Sequence, residues 1–257
     1  MNIAALAVVD PAAVVPSSCQ IGPFCVIGPG VELGEDCRLD SHVVIQGPTR
    51  IGRGNHFFPF STVGVAPQDL SYQGEPTRLE IGDHNTIREF CSLHRGTVKG
   101  GGLTRIGSHN LLMAYCHVAH DCRVGDHIIM ANGATLGGHV TVEDWATVGA
   151  LSPIHQFVRV GQHAYIGGGT IVTQDVMPYS KTSASRSNKA YGANRLGLER
   201  RGFTAEQVAG LQHAFRVLLN SGLNTSQALA QLRSEPLGTE AEELVRFIET
   251  SERGVIK

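Results

Sequence analysis

An apolar residue returns every six positions along most of the chain. The phase starts at Ile3 and runs through Val9, Val15, Ile21, Ile27, Leu33, Leu39, Ile45, Ile51, Phe57 and Val63. It breaks, resumes at Ile81, Ile87 and Leu93, slips by one residue, and continues from Ile106 in steps of six to Val172. Two insertions account for the breaks: residues 64 to 80, containing APQDLSYQGEPTR, and the run VKGGGLTR near 98 to 105. A six-residue period suits neither an amphipathic helix nor a half-buried strand. It suits one short strand plus a corner, and stacking such units coil on coil buries a continuous aliphatic column. The period therefore predicts a parallel β-helix, with Gly, Asp and Asn expected to take the corner conformations.

The cysteines test this reading. With the aliphatic residue as position i, Cys19, Cys25, Cys37, Cys91, Cys116 and Cys122 all fall at i+4, where other hexads carry Ala, Val, Ser or Thr. They read as small interior residues that need no disulfide partner. Beyond Pro178 the hexads stop, and the polar run SKTSASRSNK leads to helical patterning. Thr204 and Gln207 form a capping box ahead of Val208, Leu211, Phe215, Leu218 and Leu219, with Gly222 as the expected stop. A helix is expected around Gln227 to Leu232, and Thr239 with Glu242 predicts a second capping box, its helix closed by Gly254. Residues 1–190 thus read as the β-helix domain and 191–257 as a small α-helical domain.

Charge narrows the choice of partners. Lys plus Arg number 21 and Asp plus Glu 23, so no broad basic field exists to gather nucleic acid or anionic lipid. No run approaches the ~20 apolar residues of a membrane span, and the amino terminus lacks the basic start of a secretory signal. A cytoplasmic protein with no integral membrane segment is expected.

Candidate chemistry concentrates in HVAHDCRVG, residues 117 to 125. A zinc site would need three or four converging ligands, whereas Cys122 should point inward and His117 and His120 occupy different hexads. No Ser lies beside His120, so a covalent acyl-enzyme lacks its nucleophile. Direct transfer remains, with His120 as general base supported by Asp121; against it stands the plain reading of solvated corner histidines and a turn-forming Asp.

HVAHDCRVG, LGGHV (136–140), HQF (155–157), QDLSYQGEPTR, LHRGTVKGGG and GLERRGF (197–203) resemble the motifs of the hexapeptide-repeat acyltransferases, and among them the UDP-N-acetylglucosamine O-acyltransferase family of lipid A biosynthesis. The resemblance covers nearly the whole chain. It implies a left-handed parallel β-helix with three hexads per coil, so that His120, Gly138 and Gln156, eighteen residues apart, stack at about one strand spacing of ~4.8 Å, and Asp121 stacks with His139. It implies catalytic roles for His120, Asp121 and the backbone N–H of Gly138. It further implies a nucleotide-sugar cleft lined by Gln68, Asp69, His94, His117, His139, His155 and Gln156, with Asn194 and Arg201 recognising uracil and diphosphate, and with Arg195, Arg200 and Arg201 forming a basic cluster suited to an acidic acyl carrier protein. The implied partners are UDP-N-acetylglucosamine, a 3-hydroxyacyl acyl carrier protein and two further copies of the chain in a homotrimer with sites between subunits. No cofactor or metal is implied. The chain departs from the family at Ser71, where relatives often carry Lys. Gly168 lies where the family sets acyl length and, having no side chain to truncate a groove, is expected to admit a longer acyl group. A related N-acyltransferase is disfavoured because the hexads already begin at Ile3. A zinc lyase or a non-catalytic scaffold on the same frame stays open at this point.

Overall fold

The computed structural model describes residues 2–184 and 188–257. Short parallel strands wind through three faces. Gln20–Ile21, Thr147–Val148 and Tyr165–Ile166 lie on the first; Val26–Ile27, His117–Val118 and Pro153–Ile154 on the second; Arg123–Val124, Thr141–Val142 and Arg159–Val160 on the third. Registry repeats every eighteen residues: Val26 pairs with Val44, His117 with Thr135 and Arg123 with Thr141. Across the first insertion Ile51 pairs with Ile81, thirty residues on, so it adds twelve. Across the second, Ile106 follows Ile81 by twenty-five, an addition of seven. Strands run to Val65 and resume at Arg78, and run to His94 and resume at Leu103, so both insertions leave the coils without disturbing the faces.

The aliphatic column is the core. Ile27, Ile45, Leu93, Leu112, Met130, Leu136 and Val160 are buried, as are all six cysteines, which are free. Where i+4 is Cys or Asn, the side chain has a further task. The thiols of Cys19, Cys37 and Cys122 donate to the carbonyls of Gly34, Gly52 and Gly137, and the amide of Asn110 to that of Gly125, always fifteen residues ahead. Burial pushes Cys37 up to about 11 and Cys122 to about 12, so both stay protonated donors. Asn55, Asn85 and Asn110 were not foreseen inside this column. They form a buried ladder: Asn55 Oδ1 accepts from the backbone and side-chain amides of Asn85, and Asn85 Oδ1 from the backbone of Asn110, all at 2.9 Å.

The corners differ from the Gly, Asp and Asn expectation. Residue i+3 sits at φ near +60°, and there the chain mostly carries rings: Phe24, His42, Phe60, Phe90 and Tyr115 on one edge, His84, His109, His127, Trp145, His163 and Tyr179 on another. A left-handed non-glycine residue costs about 1–2 kcal/mol. The rings offset much of this by stacking on the coil above, at 4.8 Å for His42 with Phe60 and 3.9 Å for His127 with Trp145, contacts worth about 0.5–1.5 kcal/mol each.

The polar run after Pro178 also differs from expectation. Ser180–Ala184 and Asn188–Ala193 pair antiparallel, and the first of them joins the first face beside Tyr165–Ile166; residues 185–187 lie outside the described residues. Helices follow at Arg195–Arg200 (α1), Ala205–Asn220 (α2), Thr225–Arg233 (α3) and Thr239–Glu249 (α4). The Thr204–Gln207 capping box is formed, and Asn224 with Gln227 makes another. Thr239 does not cap: Gly238 takes the N-cap without a side-chain bond, and α4 ends before Gly254. A second apolar cluster, from Met177 and Tyr179 through Leu211, Phe215, Leu244 and Val245, holds this segment together. Replacing Asn85 by Ala leaves the buried N–H of Asn110 without an acceptor and removes the side-chain donor to Asn55 Oδ1 and to the Gly107 carbonyl, while the backbone N–H of residue 85 still reaches Asn55. We expect chemical denaturation to show a loss of about 2–4 kcal/mol, more than for an exposed corner residue.

Candidate active site

The second face ends at Val118, and Ala119, His120 and Asp121 turn the corner while Cys122 points inward. Asp121 has φ +60°. His120 Nδ1 lies 2.8 Å from Asp121 Oδ2. A carboxylate only accepts, so Nδ1 carries the proton and Nε2 keeps a free lone pair. The Asp121 side chain is 1% exposed and is gripped from the second insertion. Its Oδ1 accepts from the Thr97 backbone at 2.8 Å and its Oδ2 from the Thr97 hydroxyl at 2.6 Å, while its own N–H donates to Thr104 Oγ1 at 2.7 Å. Gly100 closes over the carboxylate, where a Cβ would fall 2.0 Å from Asp121 Cγ. Thr97 is thus a functional candidate that sequence reading missed. It lies in the glycine-rich insertion, whose folding back onto residue 121 has no local signal.

Gly138 sits one coil on. A Cβ there would lie 2.6 Å from His120 Cε1, so glycine is required for space and not for its φ. Its N–H has no acceptor among the described residues. His139 stands edge-on to His120 at 5.2 Å, stacks on Phe157 at 4.4 Å, and brings Nε2 to 3.8 Å from Asp121 Oδ2. His117 accepts or donates to Ser92 Oγ at 2.7 Å and meets the His94 ring edge-on at 4.8 Å. His94 is 4% exposed, and its Nδ1 has no partner among the described residues. Burial lowers all three: His94 to about 4, and His117 and His139 below the ordinary imidazole value.

The first insertion approaches the same cluster. Asp69 is held below the usual carboxylate range chiefly by the Ser71 amide, 2.8 Å away. Arg95 stitches this insertion down, bonding Tyr72 Oη at 2.9 Å and the Gly64 carbonyl at 2.9 Å. Gln68 is exposed. His155 and Gln156 stack on Gly137 and Gly138, and His155 Nδ1 lies 3.4 Å from Arg253. The remaining candidates stand elsewhere. Gly168 is exposed at the corner between the first and second faces, and Asn194 and Arg201 surround His163 on the edge that follows the third face. Arg200 is exposed, and Arg195, also exposed, pairs with Glu199 at 2.7 Å on α1.

His120, Asp121 and His139 offer three ligand atoms within 4.8 Å of one another. The Asp121 oxygens are already filled by Thr97 and His120, and His117, the other half of the H-x-x-H pair, is turned to Ser92. The donor set therefore suits a proton relay better than a cation. A groove of about 720 Å³ runs along the third face between Arg105, Arg123, Asp126 and Asp144 and contains none of these residues.

Comparisons with known proteins place the chain in a family. The family described as Udp N-acetylglucosamine O-acyltransferase, domain 2, matches residues 175–256, and the bacterial transferase hexapeptide family matches residues 103–138. The acyl-[acyl-carrier-protein]--UDP-N-acetylglucosamine O-acyltransferase of Halorhodospira halophila is 47% identical over 98% of this chain and 97% of its own. The chain belongs to the UDP-N-acetylglucosamine O-acyltransferase family. The structure of LpxA from Acinetobacter baumannii superposes with a TM-score of 0.95 at 47% identity, covering all of both chains. LpxA from Bacteroides fragilis does so at 0.96 and 39%, covering 99% of this chain and all of that one. As a member of this family the chain is an acyltransferase enzyme, built as a left-handed β-helix followed by helices.

Two outcomes follow for this family member. Thr97→Val removes one Asp121 bond without opening a cavity, and we expect turnover to drop by roughly 10-fold, the scale of one lost hydrogen bond to a charged group, with Thr97→Ser restoring it. Acidification is the second. An unfolded histidine protonates near pH 6.5, whereas folded His94 and His163 do so only near 4, so the unfolded state binds more protons between these values. Stability should thus fall as pH drops from 6.5, by about 2 kcal/mol per group at pH 5, and denaturation curves of His94→Gln should show a shallower dependence.

Proposed function

We propose that the chain transfers a 3-hydroxyacyl group from acyl carrier protein to the 3-hydroxyl of UDP-N-acetylglucosamine, the first step of lipid A biosynthesis. The observation that carries this is the His120–Asp121 pair at 2.8 Å with a side-chain-free residue beneath the imidazole. Nε2 of His120 takes the proton of the sugar hydroxyl as its oxygen attacks the thioester carbonyl. The Nδ1–H bond to Asp121 fixes the tautomer and supports the imidazolium that forms. The tetrahedral oxyanion accepts from the N–H of Gly138. Collapse of the intermediate breaks the C–S bond, and the imidazolium returns the proton to the departing thiolate. No metal or cofactor enters this sequence.

Gln68, Asp69, His94, His117, His139, His155 and Gln156 line the sugar side, and Asn194 and Arg201 take the uracil and diphosphate. These two sets stand on different edges of one prism, which supports a homotrimer in which one copy supplies the imidazoles and its neighbour the nucleotide contacts. Residues 1–190 then act as the transfer domain and 191–257 as its helical partner. Arg200, exposed and cationic, faces the acidic carrier protein. Gly168 leaves the acyl path open for a longer chain. A cytoplasmic setting suits both substrates and six buried thiols. Carrier-dependent acylation of UDP-N-acetylglucosamine measured with His120→Ala tests the assignment: turnover should fall by about 10²- to 10⁴-fold with the fold intact, and unchanged turnover would refute it.

A further inference from the structure

Asn194 and Arg201 come from either end of α1, yet both end on one residue of the β-helix. The Asn194 Nδ2 amide donates to the main-chain carbonyl of His163 at 3.3 Å, and Arg201 Nη1 lies 3.4 Å from His163 Nδ1. A guanidinium only donates, so Nδ1 must be unprotonated and the ring carries its hydrogen on Nε2. The surroundings enforce that form. His163 is 8% exposed, stacked between Trp145 at 6.0 Å and Tyr179 at 5.5 Å, with Phe203 edge-on at 4.8 Å. Burial, with a further push from the Arg201 charge, lowers it to about 4. Room is also reserved: a Cβ on Gly197 would meet Asn194 Nδ2 at 2.4 Å.

We infer that His163 is the positioning residue for nucleotide-sugar binding: its ring nitrogen aims the Arg201 guanidinium and its carbonyl aims the Asn194 amide, without itself touching substrate. The inference rests on the reading of Arg201 and Asn194 as nucleotide contacts. A buried neutral acceptor suits this task, since it orients a cation without neutralising it and leaves the charge for a diphosphate. An aspartate there would satisfy the guanidinium and compete with the ligand.

The test compares steady-state kinetics of the full-length His163→Phe, His163→Asn, Arg201→Ala and His163→Phe/Arg201→Ala variants. Phe keeps the stack, since Phe157 holds the same i+3 position of another corner at φ +66°, and Asn places Oδ1 close to the position of Nδ1. We expect His163→Phe to raise KM for UDP-N-acetylglucosamine by roughly tenfold, with kcat and KM for the acyl carrier substrate nearly unchanged, since one hydrogen bond to a charged group is lost. His163→Asn should restore most of the affinity. The double variant should be no worse than Arg201→Ala alone, because the ring acts through that side chain. If Arg201→Ala raises KM but His163→Phe does not, or if the double variant shows additive losses, the inference falls alone. If Arg201→Ala itself leaves KM unchanged, the reading of Arg201 falls and takes the inference with it. Should His163→Phe lack the wild-type melting transition, His163→Leu replaces it, because Leu151 holds the equivalent corner at φ +53°.

Discussion

Closure of each coil in eighteen residues is the constraint from which the rest follows. At most of the three corners of each coil the backbone turns through a left-handed residue, and the turn exposes a carbonyl that the next coil covers. The chain meets the first demand mostly with stacked rings at i+3, and at many corners the second with short donors at i+4, thiols and carboxamides that reach a carbonyl of the next coil. Cys and Asn at i+4 therefore sit in a column otherwise apolar, each with its donor spent on a corner carbonyl.

Because the register is rigid, residues eighteen apart become neighbours at strand spacing. That alone sets Gly138 beneath His120 and His139 beside Asp121. The insertions do what the coils cannot. Seven added residues fold Thr97 and Gly100 over the Asp121 carboxylate, removing it from water while leaving its oxygens bonded. Twelve more bring Asp69 towards the imidazoles, tied down by Arg95 and Tyr72.

Burial shapes the electrostatics. His94, His117 and His139 all have their charged forms disfavoured, so the wall facing His120 consists of neutral rings, each with one donor and one acceptor. Such a wall suits a hydroxyl-rich ligand and keeps positive charge from crowding the imidazole that must take a proton. The same device recurs around His163, where a neutral ring holds a guanidinium in place.

The six-residue period alone determined the solenoid, the inward cysteines and the places where insertions interrupt it, because inside and outside are decided by local alternation. The capping box at Thr204 was legible for the same reason, being made of residues three apart. Thr239 misled, since Gly238 already supplied an extended N-cap backbone. The aromatic corners were illegible: glycine is the usual answer to a positive φ, and the ring stacked on the next coil, which offsets the strain at most of these corners, belongs to a residue eighteen or more places away. The hairpin at 180–193, the grip of Thr97 on Asp121 and the joint hold of His163 on Asn194 and Arg201 belong to tertiary structure alone. Each joins groups twenty-four to thirty-eight positions apart, or pairs strands of polar residues, and such contacts depend on where the chain returns in space.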